Sequence, residues 1–190
     1  MDKTVAASGG PGVGRRLRDL REARGLSLSA LARRAGIGKA TLSGLETGTR
    51  NPTLETLYAV TAQLGVPLAA VLAEPAGTTD PAPPPVVRGR AVIGTLLHVF
   101  EEEAVTYELF RLRVLPGPVQ VSPAHQRGVT EHVTVFSGVL RAGPQEAPLL
   151  AGAGEHISWC SDVPHSYSAA GPDEVQASLL IRYPRRPGPS

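Results

Sequence analysis

Two sets of side chains in this 190-residue chain have the types and spacing to do chemistry. In the second half, His125, Arg127 and Glu131 share parity, so a strand through them aims all three at one face, and His165 follows Asp162-Val163-Pro164 on a later strand. His125, Glu131 and His165 together offer two imidazoles and a carboxylate, a set that suits non-haem iron and some other divalent ions. Arg127 opposes an ion there, because a guanidinium stays protonated and has no lone pair to donate. The preferred reading is a metal-free ligand pocket lined by His125, Arg127, Glu131 and His165, with no cofactor required. If a divalent metal is held, its ligands are His125, Glu131 and His165. Arg127 then has two uses: it pairs with Glu131, leaving the histidines as hydrogen-bonded lining, or it receives the carboxylate or phosphate of a small anionic effector. No catalytic residue is assigned. His98, His132, His156, Trp159 and Cys160 read as ordinary surface or core residues, and the parity of His132 points it away from the site.

In the first half, Lys39, Thr41 and Ser43 are short or flexible donors near the start of an expected helix, where the positive end of the dipole favours phosphate. Leu42 and Leu45 fall on the opposite face of that helix. Charge agrees with this division of labour: residues 1–75 hold 10 Lys and Arg against 6 Asp and Glu, whereas residues 76–190 hold 9 against 11. A basic front half suits contact with phosphate. One cysteine, Cys160, excludes an internal disulfide, the first residues lack the apolar core of a secretory signal, and no apolar run reaches the length of a membrane span. These features set a cytoplasmic protein without membrane partners as the expectation.

The elements that must position these residues follow from periodicity. Helical spacing runs from Val13 to Leu72 and divides into five short helices at about 13–24, 28–35, 39–47, 54–64 and 67–73. Gly25, Gly36, Gly48 and Gly65 sit just past periodic segments, Thr53 can cap the fourth, and Pro67 suits a first turn. Within Leu28 to Thr47, Ala32, Gly36, Ile37, Leu42 and Leu45 supply the small residue, the turn glycine and the inward apolar positions that two steeply crossing helices need. The proline-rich stretch 74–90 reads as a semi-rigid linker. Beyond it the period changes to two, as in Val105 to Leu112, and short apolar runs recur at 91–99, 131–140, 147–150, 156–160 and 175–183, implying an antiparallel barrel or sandwich. Residues 1–12 and 184–190 read as tails, disordered and flexible.

The stretch LRDLREARGLSLSALARRAG, continued by IGKATLSGLETGTRNPTLETLYAVTAQLGVPLAAVL, resembles the Xre family, the Cro and phage-repressor type of helix-turn-helix domain, over about 13–73. The resemblance implies that helix 39–47 enters the major groove of a double-stranded operator, with Lys39, Ala40, Thr41, Ser43 and Gly44 on or near its DNA-facing side. It also implies that Arg50 and Asn51 contact the backbone and position the domain. Leu28 stands where the family usually has glutamine, and Gly38-Lys39 where a serine-glutamine pair usually opens the recognition helix, so the usual adenine contact does not carry over.

HQRGVTEHVTVFSGVL resembles the first cupin motif, with His125 as its first histidine, Glu131 as its carboxylate and Gly138 as its turn glycine. GEHISWCSDVPHSY resembles the second, with Gly154 opening it and His165 as its histidine. The cupin's second histidine is Arg127 here. The fold expected is thus an all-α five-helix helix-turn-helix domain (13–73) followed by an all-β cupin barrel of jelly-roll type (91–183). The function expected is a homodimeric, sequence-specific transcriptional regulator, not an enzyme, whose cupin domain senses a small molecule. The alternative is a metal-dependent cupin enzyme of the helix-turn-helix plus cupin epoxidase type.

Overall fold

The computed structural model describes residues 12–72 and 83–184. Of the expected tails at 1–12 and 184–190, residues 1–11 and 185–190 lie outside the described residues, as do 73–82, which hold the end of the expected fifth helix and the first part of the expected linker; Gly12 opens the first helix and Pro184 closes the last strand. The chain divides into two compact units, Met1–Val87 and Arg88–Ser190, each taken by itself below.

The first unit holds α1 (Gly12–Ala23), α2 (Leu28–Arg34), α3 (Lys39–Glu46), α4 (Leu54–Leu64) and α5 (Ala69–Leu72). These are the five helices expected, each within two residues of its expected start. Ser27 caps α2 by accepting from the Ala30 N–H, and Thr53 caps α4 by accepting from the Thr56 N–H, so two helix starts have their orphan donors satisfied by the residue type that does this best. Gly65 ends α4 in the left-handed region at φ 69°, which a side chain would resist. The core consists of the periodic apolar residues: Leu17, Leu31, Leu42, Leu57 and Leu68 are fully buried. At the crossing of α1 and α3 the backbones come so close that a Cβ on Gly14 would collide with the carbonyl oxygens of Leu45 and Glu46.

The second architecture is ten strands: β1 (Val86–Arg88), β2 (Val92–Glu101), β3 (Val105–Val114), β4 (Gln120–Ser122), β5 (Thr130–Ser137), β6 (Leu140–Pro144), β7 (Leu149–Ala151), β8 (His156–Cys160), β9 (His165–Ala169) and β10 (Val175–Pro184). They form a six-stranded sheet in the order β1-β2-β3-β10-β5-β8 and a four-stranded sheet in the order β4-β9-β6-β7. The pairings of β3 with β2 and β10, of β5 with β10 and β8, and of β9 with β4 and β6 are antiparallel. Phe110, Val133 and Ile181 of the larger sheet and Leu140, Ala142 and Tyr167 of the smaller one are buried between the layers, as in a jelly-roll barrel.

Three differences from the periodicity reading have physical causes. The apolar run 131–140 is cut at Gly138, whose φ of 79° turns β5 into β6. Strands β4 and β9 belong to no apolar run because their inward residues, Gln120, Ser122 and His165, are polar and yet buried. Val86–Arg88, within the stretch read as linker, joins the six-stranded sheet as its edge.

Candidate nucleic-acid interface and barrel site

On the helical unit, α3 begins at Gly38 in extended backbone (φ −65°, ψ 140°), with no side chain bonded to the first-turn N–H groups. Those donors and the helix dipole point at whatever approaches, an arrangement suited to phosphate and base edges. Lys39 and Ala40 are exposed, Thr41 and Ser43 half-buried, and Leu42 and Leu45 buried against the core. The loop after α3 folds back on it: the Arg50 N–H donates to Gly44 O at 3.0 Å, Thr49 Oγ1 to the same oxygen at 3.2 Å, and Thr47 Oγ1 to Ser43 O at 2.9 Å. Arg50 and Asn51 are thereby held exposed beside the helix.

Gly44 departs from its expected place on the DNA-facing side. It is buried, and a Cβ there would lie 3.0 Å from both Cγ and Cδ of Arg50, so the Arg50 stem lies across it. The far end of α3 is clasped to α1 by Arg21, whose guanidinium donates to both oxygens of Glu46. The Glu46 carboxylate raises the Arg21 pKa further above its ordinary value. Arg15 and Arg18 were not singled out by spacing, yet they line a cleft of about 560 Å³ with Glu46, Arg50 and Asn51. Only the packing of α1 on α3 brings them there.

In the barrel, His125, Glu131 and His165 converge. His125 Nε2 donates to Glu131 Oε1 at 2.8 Å, His165 Nε2 lies 3.2 Å from the same oxygen, and Tyr167 Oη donates to Glu131 Oε2. His165 Nδ1 donates to Val163 O at 2.9 Å. Glu131 sits on β5 facing inward, and His165 and Tyr167 are the inward pair of β9. His125 precedes β5, held where its N–H donates to Ser161 O at 2.8 Å. Burial alone pushes the Glu131 carboxyl up, but the charges and hydrogen bonds of His165 and His125 outweigh it and hold it well below the usual range. Burial pushes His165 down, and Glu131 with the Val163 carbonyl more than reverses this, leaving it raised.

Arg127 stands apart from this cluster. Residues 123–129 are not a strand, so the parity shared by His125, Arg127 and Glu131 does not aim them together; Arg127 is exposed in the turn, with Gly128 at φ 84°. The expected Arg127–Glu131 pair is absent among the described residues, where the partners of Glu131 are His125, His165 and Tyr167. The fixed positive charge that argued for a metal-free pocket is therefore not in the cluster. The three ligand atoms lie within 4.8 Å of one another, and the Nδ1 bond of His165 to a carbonyl commits its Nε2 to coordination, so the donor set fits a divalent ion. Bound there, such an ion supplies Lewis-acid charge.

Spacing also left out three neighbours. Tyr167 lies two residues beyond His165, so the period of two could have found it. Trp159 stands opposite Glu131 across the β5–β8 register, 6.2 Å from the His165 ring and 5.7 Å from that of Tyr167, with its Nε1 buried and lacking a hydrogen-bond partner among the described residues. Glu108 of β3 is fully buried, and Ile181 is the register partner of both Glu108 and Glu131. The parity of Glu108 with Phe110 and Leu112 on β3 is the sequence signal that could have found it.

The first unit has the five-helix architecture of a helix-turn-helix domain, and a two-sheet antiparallel barrel follows it along the chain. The helix-turn-helix family model HTH_3 matches residues 17–71. The HTH-type transcriptional regulator SutR of Escherichia coli (strain K12) is 32% identical over 169 residues, covering 89% of this chain and 93% of that protein. The chain belongs to this family of HTH-type transcriptional regulators. The crystal structure of an HTH_3 family transcriptional regulator from Vibrio cholerae superimposes with a TM-score of 0.76 at 27% identity, over 92% of this chain and 97% of that one. The Cupin_2 domain of an XRE family transcriptional regulator from Enterobacter cloacae matches 50% of this chain and 100% of its own at 28% identity, with a TM-score of 0.46.

Proposed function

We propose that the protein acts in the cytoplasm as a homodimer that binds a palindromic operator through α3 and changes its affinity when a small molecule occupies the barrel. The observation that carries this reading is the pairing, in one chain, of an uncapped helix start flanked by exposed Lys39 with a buried polar cluster at His125, Glu131 and His165. Lys39, Ala40, Thr41 and Ser43 meet the groove, Arg50 and Asn51 the backbone, and Gly44 supports Arg50 from beneath. Two-fold symmetry supplies the contacts that one short helix lacks. Because Arg127 lies outside the cluster, the effector is recognised by His125, Glu131, His165 and Tyr167, and an anionic group enters this reading only at the exposed rim where Arg127 stands.

Genome-wide mapping of bound DNA, followed by titration of the recovered operator with parent protein and Lys39→Ala, tests the reading. A shared palindrome and weaker binding by the variant support it; no preferred sequence overturns it. Compounds drawn from the products of neighbouring genes then test for an effector by its shift of operator affinity. The convergence of three metal-ligand donors is the observation that favours a second reading, a metal-dependent enzyme. Turnover of a compound by the iron-loaded protein establishes that reading, and an operator shift without turnover dismisses it.

A further inference from the structure

A second histidine cluster lies outside the barrel site, on the outer face of the six-stranded sheet. In the antiparallel β5–β8 register Thr134 faces His156 and His132 faces Ser158, which makes His132 and His156 diagonal neighbours on one face. Their ring centroids are 5.8 Å apart with planes inclined by 26°. Each ring has one nitrogen on a threonine hydroxyl of β5: His132 Nε2 lies 3.3 Å from Thr130 Oγ1, and His156 Nδ1 lies 3.0 Å from Thr134 Oγ1. A hydroxyl that accepts the ring N–H fixes the tautomer in which the other nitrogen carries the lone pair, the outer support that metal-bound histidines ordinarily have. That leaves His132 Nδ1 and His156 Nε2 as ligand atoms.

We propose that His132 and His156 form a surface site for a borderline divalent ion of the zinc, nickel or copper type, clipping β5 to β8. Metal–nitrogen bonds of about 2.0–2.1 Å put two imidazoles on one ion with centroids about 5–6.5 Å apart, a range that includes the observed spacing. Imidazole is the ligand these ions share, and water completes the coordination of an exposed pair. His156 is exposed and His132 half-buried, so the site is open to solution. On the same face, Arg182 of β10, the register partner of Thr130, opposes a cation through screened solvent, as does Arg111 one strand further on β3, and Cys160 of β8 is an exposed thiol opposite Thr130. The pair is separate from the inner cluster, since Glu131 points into the barrel and the next residue on the strand, His132, points out.

The test is nickel binding to the full chain, by calorimetric titration at pH 8 and by the nickel-induced rise in melting temperature. It is run in a Cys160→Ser background so that the thiol cannot account for the signal. His132→Ala and His156→Ala are compared with the parent, the inner cluster being intact in all three. Each variant is expected to weaken one class of nickel site at least about tenfold and to reduce the metal-induced stabilisation, leaving any binding at the inner cluster unchanged. Should His132→Ala disturb the fold, judged by circular dichroism, His156→Ala at the exposed position carries the test alone. Superimposable isotherms and equal melting shifts in parent and His156→Ala would overturn the proposal.

Discussion

Arg21 donates from Nε to Glu46 Oε1 at 2.7 Å and from Nη2 to Glu46 Oε2 at 2.9 Å, a two-pronged clasp between α1 and the last turn of α3. A third donor, Nη1, reaches Leu26 O at 2.9 Å, so one guanidinium joins α1, the turn after it and α3. The two side chains are only 10% and 6% exposed, and removing one leaves the other largely covered without its charge partner. Arg21→Ala is expected to destabilise the helical unit by about 3 kcal/mol, and Arg21→Lys to restore only part of this because an ammonium lacks the planar fork. Urea unfolding followed by helical circular dichroism measures both; a loss under about 0.5 kcal/mol for the alanine variant contradicts the assignment.

Gly44→Ala and Lys39→Ala should weaken operator binding by different routes. At position 44 the new methyl presses on Cγ and Cδ of Arg50, each 3.0 Å away, and shifts a backbone contact; the expected signature is a salt-dependence slope reduced by about one for all sequences. At position 39 the loss is about 1–3 kcal/mol if the lysine reads a base, and it then relaxes preference at one operator position. Binding isotherms at several salt concentrations on cognate and altered operators separate the two. Unchanged affinity in either variant removes that residue from the interface.

Barrel stability in chelator-treated protein should peak at mildly acidic pH. Glu131 is held below its ordinary carboxyl value, because the facing histidines outweigh the effect of burial. Its contribution is complete above the unfolded carboxylate value of about 4.3 and is lost as pH falls through the lowered folded value. His165 is raised, because Glu131 and the Val163 carbonyl outweigh burial. Its contribution is complete below the unfolded value of about 6.5 and is lost as pH rises through the raised folded value. Both are therefore present between about pH 4.3 and 6.5. Urea midpoints of the barrel that climb steadily from acid to alkaline pH would contradict this.

Two charged residues four apart in sequence should behave oppositely on truncation. Glu131 is buried among His125, His165 and Tyr167, and Glu131→Ala strands two imidazoles and a phenol; a cost of about 3–5 kcal/mol is expected. Arg127 is exposed in a turn, and Arg127→Ala should change stability by less than about 0.5 kcal/mol. Thermal melts of the two variants decide it, and comparable losses would return Arg127 to the cluster.

The amino-acid sequence alone determined the order of the two folds, because periodicity is a local property: a 3.6-residue apolar repeat can bury one face only as a helix, and a period of two only as a strand. It also determined where helices stop, since Gly65 is needed for a left-handed backbone wherever α4 ends, and Thr53 caps whatever follows it. Glu131 and His165 were legible for the same reason, because both lie on strands whose alternation holds, whereas His125 precedes β5 and was legible only through the resemblance to the first cupin motif. Arg127 was misplaced because parity has no meaning in the turn 126–128, and only the folded chain shows where a strand begins. Tertiary structure alone decided the rest: that Arg21 finds Glu46 across 25 residues, that Gly44 lies under Arg50, and that His132 meets His156 across two strands. The Arg21–Glu46 and His132–His156 contacts join residues 25 and 24 apart in sequence, set by helix crossing and strand register, which local spacing does not encode.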